Sequence, residues 1–154
     1  MVTARDVVAA VPDPEIPVIS IDDLGILRSV ETEDDGTVVV TITPTYSGCP
    51  AMDAIRADIR TALAKHGFDN VEVRTVLRPA WSTDWITPQG RERLASFGIA
   101  PPRRAADGLL QIAVACPLCG STNTRLVSSF GSTPCKAHRI CADCAEPFDH
   151  FKEL

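Results

Sequence analysis

Thr37-Val38-Val39-Val40-Thr41-Ile42-Thr43, followed by Pro44-Thr45-Tyr46-Ser47-Gly48-Cys49-Pro50-Ala51-Met52, takes the chain from a strand pattern into a helix pattern. Every residue from Thr37 to Thr43 is β-branched, with Val38, Val40 and Ile42 alternating against Thr37, Val39, Thr41 and Thr43, which predicts a strand. Beyond the loop, Met52, Ile55, Ile59, Ala62 and Leu63 recur at helical spacing. Asp53 stands in the first turn, Lys65 and His66 in the last, and Gly67 supplies the stop, so a helix is predicted over 52–66. Pro50 suits the first helical position, where its missing N–H would have no intrahelical partner, and this puts Cys49 at or beside the N-cap. A helix N-terminus carries free N–H donors and partial positive charge, so a cysteine there forms its thiolate more readily than at the ordinary pKa of about 8.5. Two readings of Cys49 stand: a nucleophile or transient metal or sulfur ligand, or a half-buried residue that closes the turn.

Working outward, Val7, Val8 and Val11 share one side of a short helix over Val2–Val11 that ends at Pro12. Asp13-Pro14-Glu15-Ile16-Pro17 then forbids helix and fixes an extended loop carrying two carboxylates, either held for chemistry or part of a rigid solvated connector. A strand over Leu27–Glu33 and the hairpin signal Asp34-Asp35-Gly36 make the first two strands antiparallel neighbours. A third strand, Val71–Leu77, is reached by the helical crossover. The order α-β-β-α-β predicts an α+β fold in which helices cover a small sheet, and the loops around Asp13, after the second strand and after the third could meet at one end. The segment Pro79-Ala80-Trp81-Ser82-Thr83-Asp84-Trp85 holds both tryptophans, as core anchors or as a lid or docking surface. A short helix over Gln89–Phe97 precedes Pro101–Gly108, which has the composition of a linker. The expected division is therefore a domain over 1–100, a linker over 101–108 and a C-terminal segment over 109–154.

That C-terminal segment contains Cys116-Pro117-Leu118-Cys119-Gly120 and Cys141-Ala142-Asp143-Cys144. Two C-x2-C knuckles supply four thiolates at tetrahedral spacing, which predicts a closed, structural zinc ribbon with Cys116, Cys119, Cys141 and Cys144 as ligands. A rubredoxin-like iron site uses the same knuckles and is the rival, and His138 is a spare ligand that four thiolates make unnecessary. Strand-like runs lie at Leu109–Ala115, Thr124–Phe130 and Ala137–Ile140. So short a segment builds little core, so the metal is expected to be part of its folding energy. Cys135 falls outside the ligand set, beside Lys136, either as a second reactive thiol or as buried filler.

The chain has 154 residues, 45% of them hydrophobic and 5% aromatic, enough for one domain of about 100 residues and a small appendage. No apolar run approaches the roughly 20 residues that span a bilayer, and a cytoplasmic, membrane-free protein is expected. A net charge of −5 and a pI near 5.1 argue against nucleic-acid binding. The acidic excess is confined to residues 1–108, which hold 16 Asp/Glu against 11 Lys/Arg. His66, His138 and His150 are scattered and offer no nucleophile and base pair.

Asp13-Pro14-Glu15-Ile16-Pro17, Asp23-Leu24-Gly25, Thr43-Pro44-Thr45 and Gly48-Cys49-Pro50 resemble the iron-sulfur assembly-factor domain shared by SufT and the eukaryotic cytosolic iron-sulfur targeting factors. The tryptophan segment, Phe97–Pro102, Phe130–Lys136 and Glu146-Pro147-Phe148-Asp149 narrow the resemblance to the family of small subunits encoded with the phenylacetyl-CoA epoxidase (ring 1,2-epoxidase) complex. The resemblance spans nearly the whole chain. It implies an accessory factor and not an enzyme, one that matures iron or iron-sulfur centres of this monooxygenase in aerobic phenylacetate degradation. The implied partners are epoxidase subunits, either the [2Fe-2S] reductase or the di-iron component. Cys49 takes the place of the assembly domain's reactive cysteine, with Asp13 and Glu15 as loop partners, and carries iron or a cluster transiently. One thiol cannot cage a cluster, so a homodimer, a carboxylate of Asp13 or Glu15, or Cys135 would complete the set. An electron-transfer subunit and a structural docking subunit of the oxygenase are the alternatives.

Overall fold

The central strand of the first unit organises everything around it. In a computed structural model describing residues 1–104 and 113–153, the elements follow the predicted order. Helix α1 (Ala4–Ala9) leads to strands β1 (Leu27–Thr32) and β2 (Val38–Ile42), helix α2 (Ala51–Lys65) and strand β3 (Val71–Thr75). Strand order is β1-β2-β3, with β1 antiparallel to β2 and β3 parallel to it, as a hairpin followed by a helical crossover requires. Val38, Val40 and Ile42 are buried as expected, and so is Val39, because a middle strand has no free edge. Ile55, Ile59 and Leu63 of α2 are fully buried, each stabilising the unit by roughly 1.5–3 kcal/mol.

Helix α1 is shorter than its apolar pattern suggests. Thr3 caps it by accepting from the Asp6 N–H at 3.2 Å, while Asp6 reaches back to the Thr3 N–H at 2.9 Å. Pro12 to Ser20 folds back on itself, with the Asp13 N–H donating to the Ile19 carbonyl at 2.9 Å and a bridge between Pro12 and Ser20.

Three hydrogen bonds carry the chain across one end of the sheet. The Val76 N–H donates to the Ile42 carbonyl at 2.9 Å, and the Thr43 N–H to the Ile26 carbonyl at 2.9 Å. The buried Trp81 indole N–H donates to the Leu24 carbonyl at 2.9 Å, so the segment after β3 reaches the turn before β1. Thr87 completes the attachment, its N–H to the Asp23 carbonyl at 2.9 Å and its hydroxyl to the Asp23 carboxylate at 3.0 Å. Trp81 is thus a core anchor, whereas Trp85 is half-buried.

The second compact unit comprises Ser82–Asp84 and Pro88–Leu154, so the division falls ahead of the proline-rich linker over 101–108 that composition suggested. The reason is strand pairing. Helix α3 (Pro88–Ser96) is followed at once by β4 (Ile99–Ala100), which pairs in parallel with β7 (Pro147–Phe151). With β5 (Thr124–Ser128) and β6 (Lys136–Cys141) the sheet has the order β4-β7-β6-β5. Neither β4 nor β7 stands out in the sequence: β4 is two residues long, and the burial of Phe148, His150 and Phe151 in β7 follows no strict alternation. Most of the strand-like run at Leu109–Ala115, and residues 105–108 of the linker, lie outside the described residues. Buried Arg91 ties this unit together, its guanidinium donating to the carbonyls of Pro102 and Thr83. Strand β5 is exposed along nearly its whole length and, among the described residues, has a strand neighbour on one side only.

Gly25 is the residue whose replacement tests the first unit most directly. Its φ is +75°, and a Cβ there would lie 2.6 Å from the Trp85 Cβ and 2.8 Å from the Trp85 carbonyl oxygen. Gly25→Ala is expected to destabilise the unit by at least about 2 kcal/mol in urea denaturation, from left-handed backbone plus overpacking. Gly36→Ala, at φ +86° but facing open space, should cost only about 1 kcal/mol.

Candidate metal centre and candidate thiol site

The loop between β2 and α2 begins where Ile42 ends its pairing with Leu27 and Thr75, which brings Cys49 to the same sheet end as the Asp23–Gly25 turn. Gly48, at φ +81° with nothing within 4 Å of where a Cβ would stand, turns the chain in open space. Cys49 follows it, partly exposed, with its N–H donating to the Tyr46 carbonyl and its own carbonyl accepting from the Met52 N–H, both at 3.3 Å. The helix starts one residue later than the sequence suggests. Pro50, already in αR conformation at φ −68° and ψ −22°, is the N-cap and Ala51 the first helical residue, so Cys49 precedes the cap.

Asp13 is buried, and its Oδ1 accepts from the backbone N–H groups of Glu15 at 2.9 Å and Ile16 at 2.8 Å. This carboxylate shapes its own proline-rich loop, while Glu15 is exposed. Among the described residues, the group of three or more His, Cys, Asp or Glu ligand atoms close enough to share an ion is Cys116, Cys119, Cys141 and Cys144, so Cys49, Asp13, Glu15 and Cys135 form no such set.

The four-cysteine group fits zinc. All four sulfurs lie within 4.8 Å of one another, with Cys116 and Cys144 sulfurs 3.8 Å apart and those of Cys119 and Cys141 3.6 Å apart. A tetrahedron with Zn–S arms of about 2.3 Å has edges of about 3.8 Å, so the sulfurs already stand at ligand spacing. Each knuckle closes by backbone bonds: the Gly120 N–H donates to the Cys116 carbonyl at 2.8 Å and the Cys141 N–H to the Glu146 carbonyl at 3.0 Å. Gly120 and Ala145 both hold positive φ, +77° and 60°, directly after their knuckles. Asp143 joins the two knuckle loops by accepting from the Ser121 hydroxyl and from the Asn123 amide at 3.0 Å.

The thiols divide in acidity. Backbone N–H groups of Cys144 and Asp143 hold the Cys141 thiol down at about 7 despite its burial. The Cys144 thiol, lowered by the Glu146 N–H, is nevertheless pushed up to about 12 by burial and by the thiols of Cys141, Cys119 and Cys116. Crowded thiols of this kind ionise together only around a cation, and the four-thiolate set leaves no open coordination position, which makes the metal structural.

Cys135 is buried, with its sulfur 3.0 Å from the Thr133 hydroxyl oxygen. The neighbouring Lys136 is buried too, with its ammonium 3.8 Å from Asp149. His138 faces the same carboxylate at 3.5 Å and lies outside the thiol cluster. Two features have no local signal in the sequence: the bulge at Arg28, where the β1–β2 register shifts, and the Arg28 guanidinium standing 3.8 Å over the Trp85 ring.

A cysteine-bearing loop at the end of a three-stranded sheet, joined in one chain to a four-cysteine ribbon, defines the class: an iron-sulfur assembly-type domain combined with a zinc ribbon. Family models agree, that of the iron-sulfur cluster assembly proteins matching residues 3–75 and that of the PaaD zinc beta ribbon domain matching residues 100–152. The chain belongs to the PaaD family. It is 50% identical over 143 residues to an Escherichia coli (strain K12) protein whose name makes it a subunit of 1,2-phenylacetyl-CoA epoxidase, covering 92% of this chain and 86% of that one. An "Fe-S protein maturation auxiliary factor" of Porphyromonas gingivalis is 36% identical over 91 residues, 56% of this chain and 86% of its own. The crystal structure of the domain of unknown function DUF59 from Bacillus anthracis superposes with a TM-score of 0.55 at 28% identity, over 59% of this chain and 87% of that one.

Two outcomes are expected for the ribbon. Stripping zinc with a chelator at neutral pH should remove the strand signal of the second unit while the helical signal of α2 persists, read by circular dichroism with zinc assayed in parallel. Buried His150 has its pKa lowered, first by burial and then by Arg139 and Arg103, against the opposing pull of Glu153. The unfolded chain therefore binds this proton more readily than the folded one, and the stability the neutral ring supports is lost as pH falls below about 6.5. His150→Phe should flatten that part of the melting-temperature profile.

Proposed function

We propose that the chain is an accessory, non-catalytic factor that delivers iron or an iron-sulfur cluster to subunits of a phenylacetyl-CoA epoxidase complex in the cytoplasm. The observation that carries this reading is the separation of two kinds of cysteine site. Four sulfurs form a closed set at zinc spacing, while Cys49 sits partly exposed on an open loop outside any three-ligand group among the described residues. A closed site retains its metal, and transfer needs a ligand that is accessible and incomplete. The relatives named for iron-sulfur maturation and for the epoxidase support the same reading.

In this reading Cys49 loses its thiol proton to solvent on binding iron. The Fe–S bond to Cys49 then breaks as a ligand of the recipient replaces it, with no change of oxidation state. Because Asp13 is engaged with its own loop, a second copy of the chain, presenting its own Cys49, best completes the ligand set. Asp13 and Glu15 hold the neighbouring loop in shape, and Cys135 serves the ribbon's interior. The recipient is the [2Fe-2S] reductase or the di-iron component.

Zinc, iron and acid-labile sulfide per chain in anaerobically reconstituted protein test the proposal. Zinc should stay near one per chain in wild type and Cys49→Ala alike, while iron and sulfide load only with Cys49 present. Iron in the knuckles, with Cys49→Ala indistinguishable from wild type, would instead establish an electron-transfer subunit.

A further inference from the structure

We propose that Arg28, stacked on Trp85, is a docking residue for an acidic segment of a partner polypeptide. Leu27 pairs with Ile42 and Ser29 with Thr41, so Arg28 is the extra residue of a bulge, and bulges re-aim a side chain. Here the exposed Arg28 guanidinium lies 3.8 Å over the half-buried Trp85 ring. Trp85 is itself fixed, because its backbone passes where a Gly25 Cβ would stand and Thr87 binds Asp23 on both backbone and side chain.

Other arginines of this acidic chain hold carboxylates: Arg5 on Asp22, Arg56 on Asp53, Arg74 on Glu72 and Arg103 on Glu153. Arg28 has no carboxylate within ion-pair distance among the described residues, and Asp23 on the adjoining turn accepts from Thr87. Stacking orders the guanidinium beforehand and leaves its in-plane N–H fork free, the geometry that receives a carboxylate in bidentate fashion. Leu77, 59% exposed, follows the residue bonded to Ile42 at the same sheet end and adds an apolar contact. An open patch of one cation with Trp85 and Leu77 suits a polypeptide, which contacts all three, better than a free acid, which needs enclosing walls. The patch shares its sheet end with Cys49, so it would position whichever protein exchanges metal there; that sense rests on the proposed function, but the test does not.

The test follows the two indole N–H resonances of the 15N-labelled full chain, assigned with Trp85→Phe, during titration with hexaglutamate. Hexaglutamate should move the Trp85 signal saturably at low salt and leave the Trp81 signal, bonded to the Leu24 carbonyl, in place. Arg28→Gln should weaken this binding about tenfold, and Arg28→Lys should retain part of it. Cys49→Ala should bind as wild type, so failure of the transfer reading would leave this result standing. The proposal is overturned if Arg28→Gln binds equally well, if Cys49→Ala abolishes binding, or if hexaglutamine or free glutamate at equal concentration produces the same shift.

Discussion

Four sulfurs drawn within 4.8 Å of one another repel as thiolates and gain little as thiols, so the second unit depends on the cation between them. Its apolar cluster is small: Ala100, Cys116, Cys141 and Phe148, with Val114 and Cys144 packed alongside, so three of the ligands are themselves core residues. Metal site and hydrophobic core are here the same object. Backbone N–H groups aimed at Cys119, Cys141 and Cys144 lower the cost of gathering negative charge, but do not replace the ion.

The first unit solves a different problem. Its three strands are a minimal sheet, and the end of that sheet must remain open enough for a loop cysteine yet rigid enough to hold it in place. Rigidity comes from the chain that leaves β3, bonds Ile42, and ends on the Asp23–Gly25 turn through Trp81, Trp85 and Thr87. Arg56 adds a brace, its guanidinium bonding Thr75 at 2.9 Å and Asp53 at 2.6 Å, so the first turns of α2 are tied to the end of β3. The Cys49 loop itself is left to two weak backbone bonds and an open glycine, which is the softer arrangement a ligand-exchanging thiol needs.

Much of this is legible in the sequence because it is written in local patterns. The β-branched run over 37–43, the apolar stripe of α2 and the Asp34-Asp35-Gly36 turn each encode their element within a few residues, and two C-x2-C knuckles encode a metal site in eight. What escapes depends on partners distant in the chain. Nothing around Ile99 announces that it pairs with Asp149, and nothing in Asp23-Leu24-Gly25 announces that two tryptophans some 60 residues later rest on it. The sequence pattern puts Cys49 one residue too close to the helix because proline fits both N-cap and first-turn geometry. Asp13 is legible as a held carboxylate, but its local sequence does not tell whether the holding serves a ligand or the loop, and the bonds to Glu15 and Ile16 show at least the second.

Strand β5 bears on the behaviour of the protein in concentrated solution. Leu126 and Val127 are about half exposed, Phe130 is 69% exposed, and among the described residues the outer backbone groups of this strand face no other strand. Such an edge recruits other edges, and the sequence places one charge on it, Arg125, with no proline or lysine as guard. The ribbon's solubility therefore rests on what lies along that edge, and colloidal stability in this chain is a property of five residues more than of its net charge.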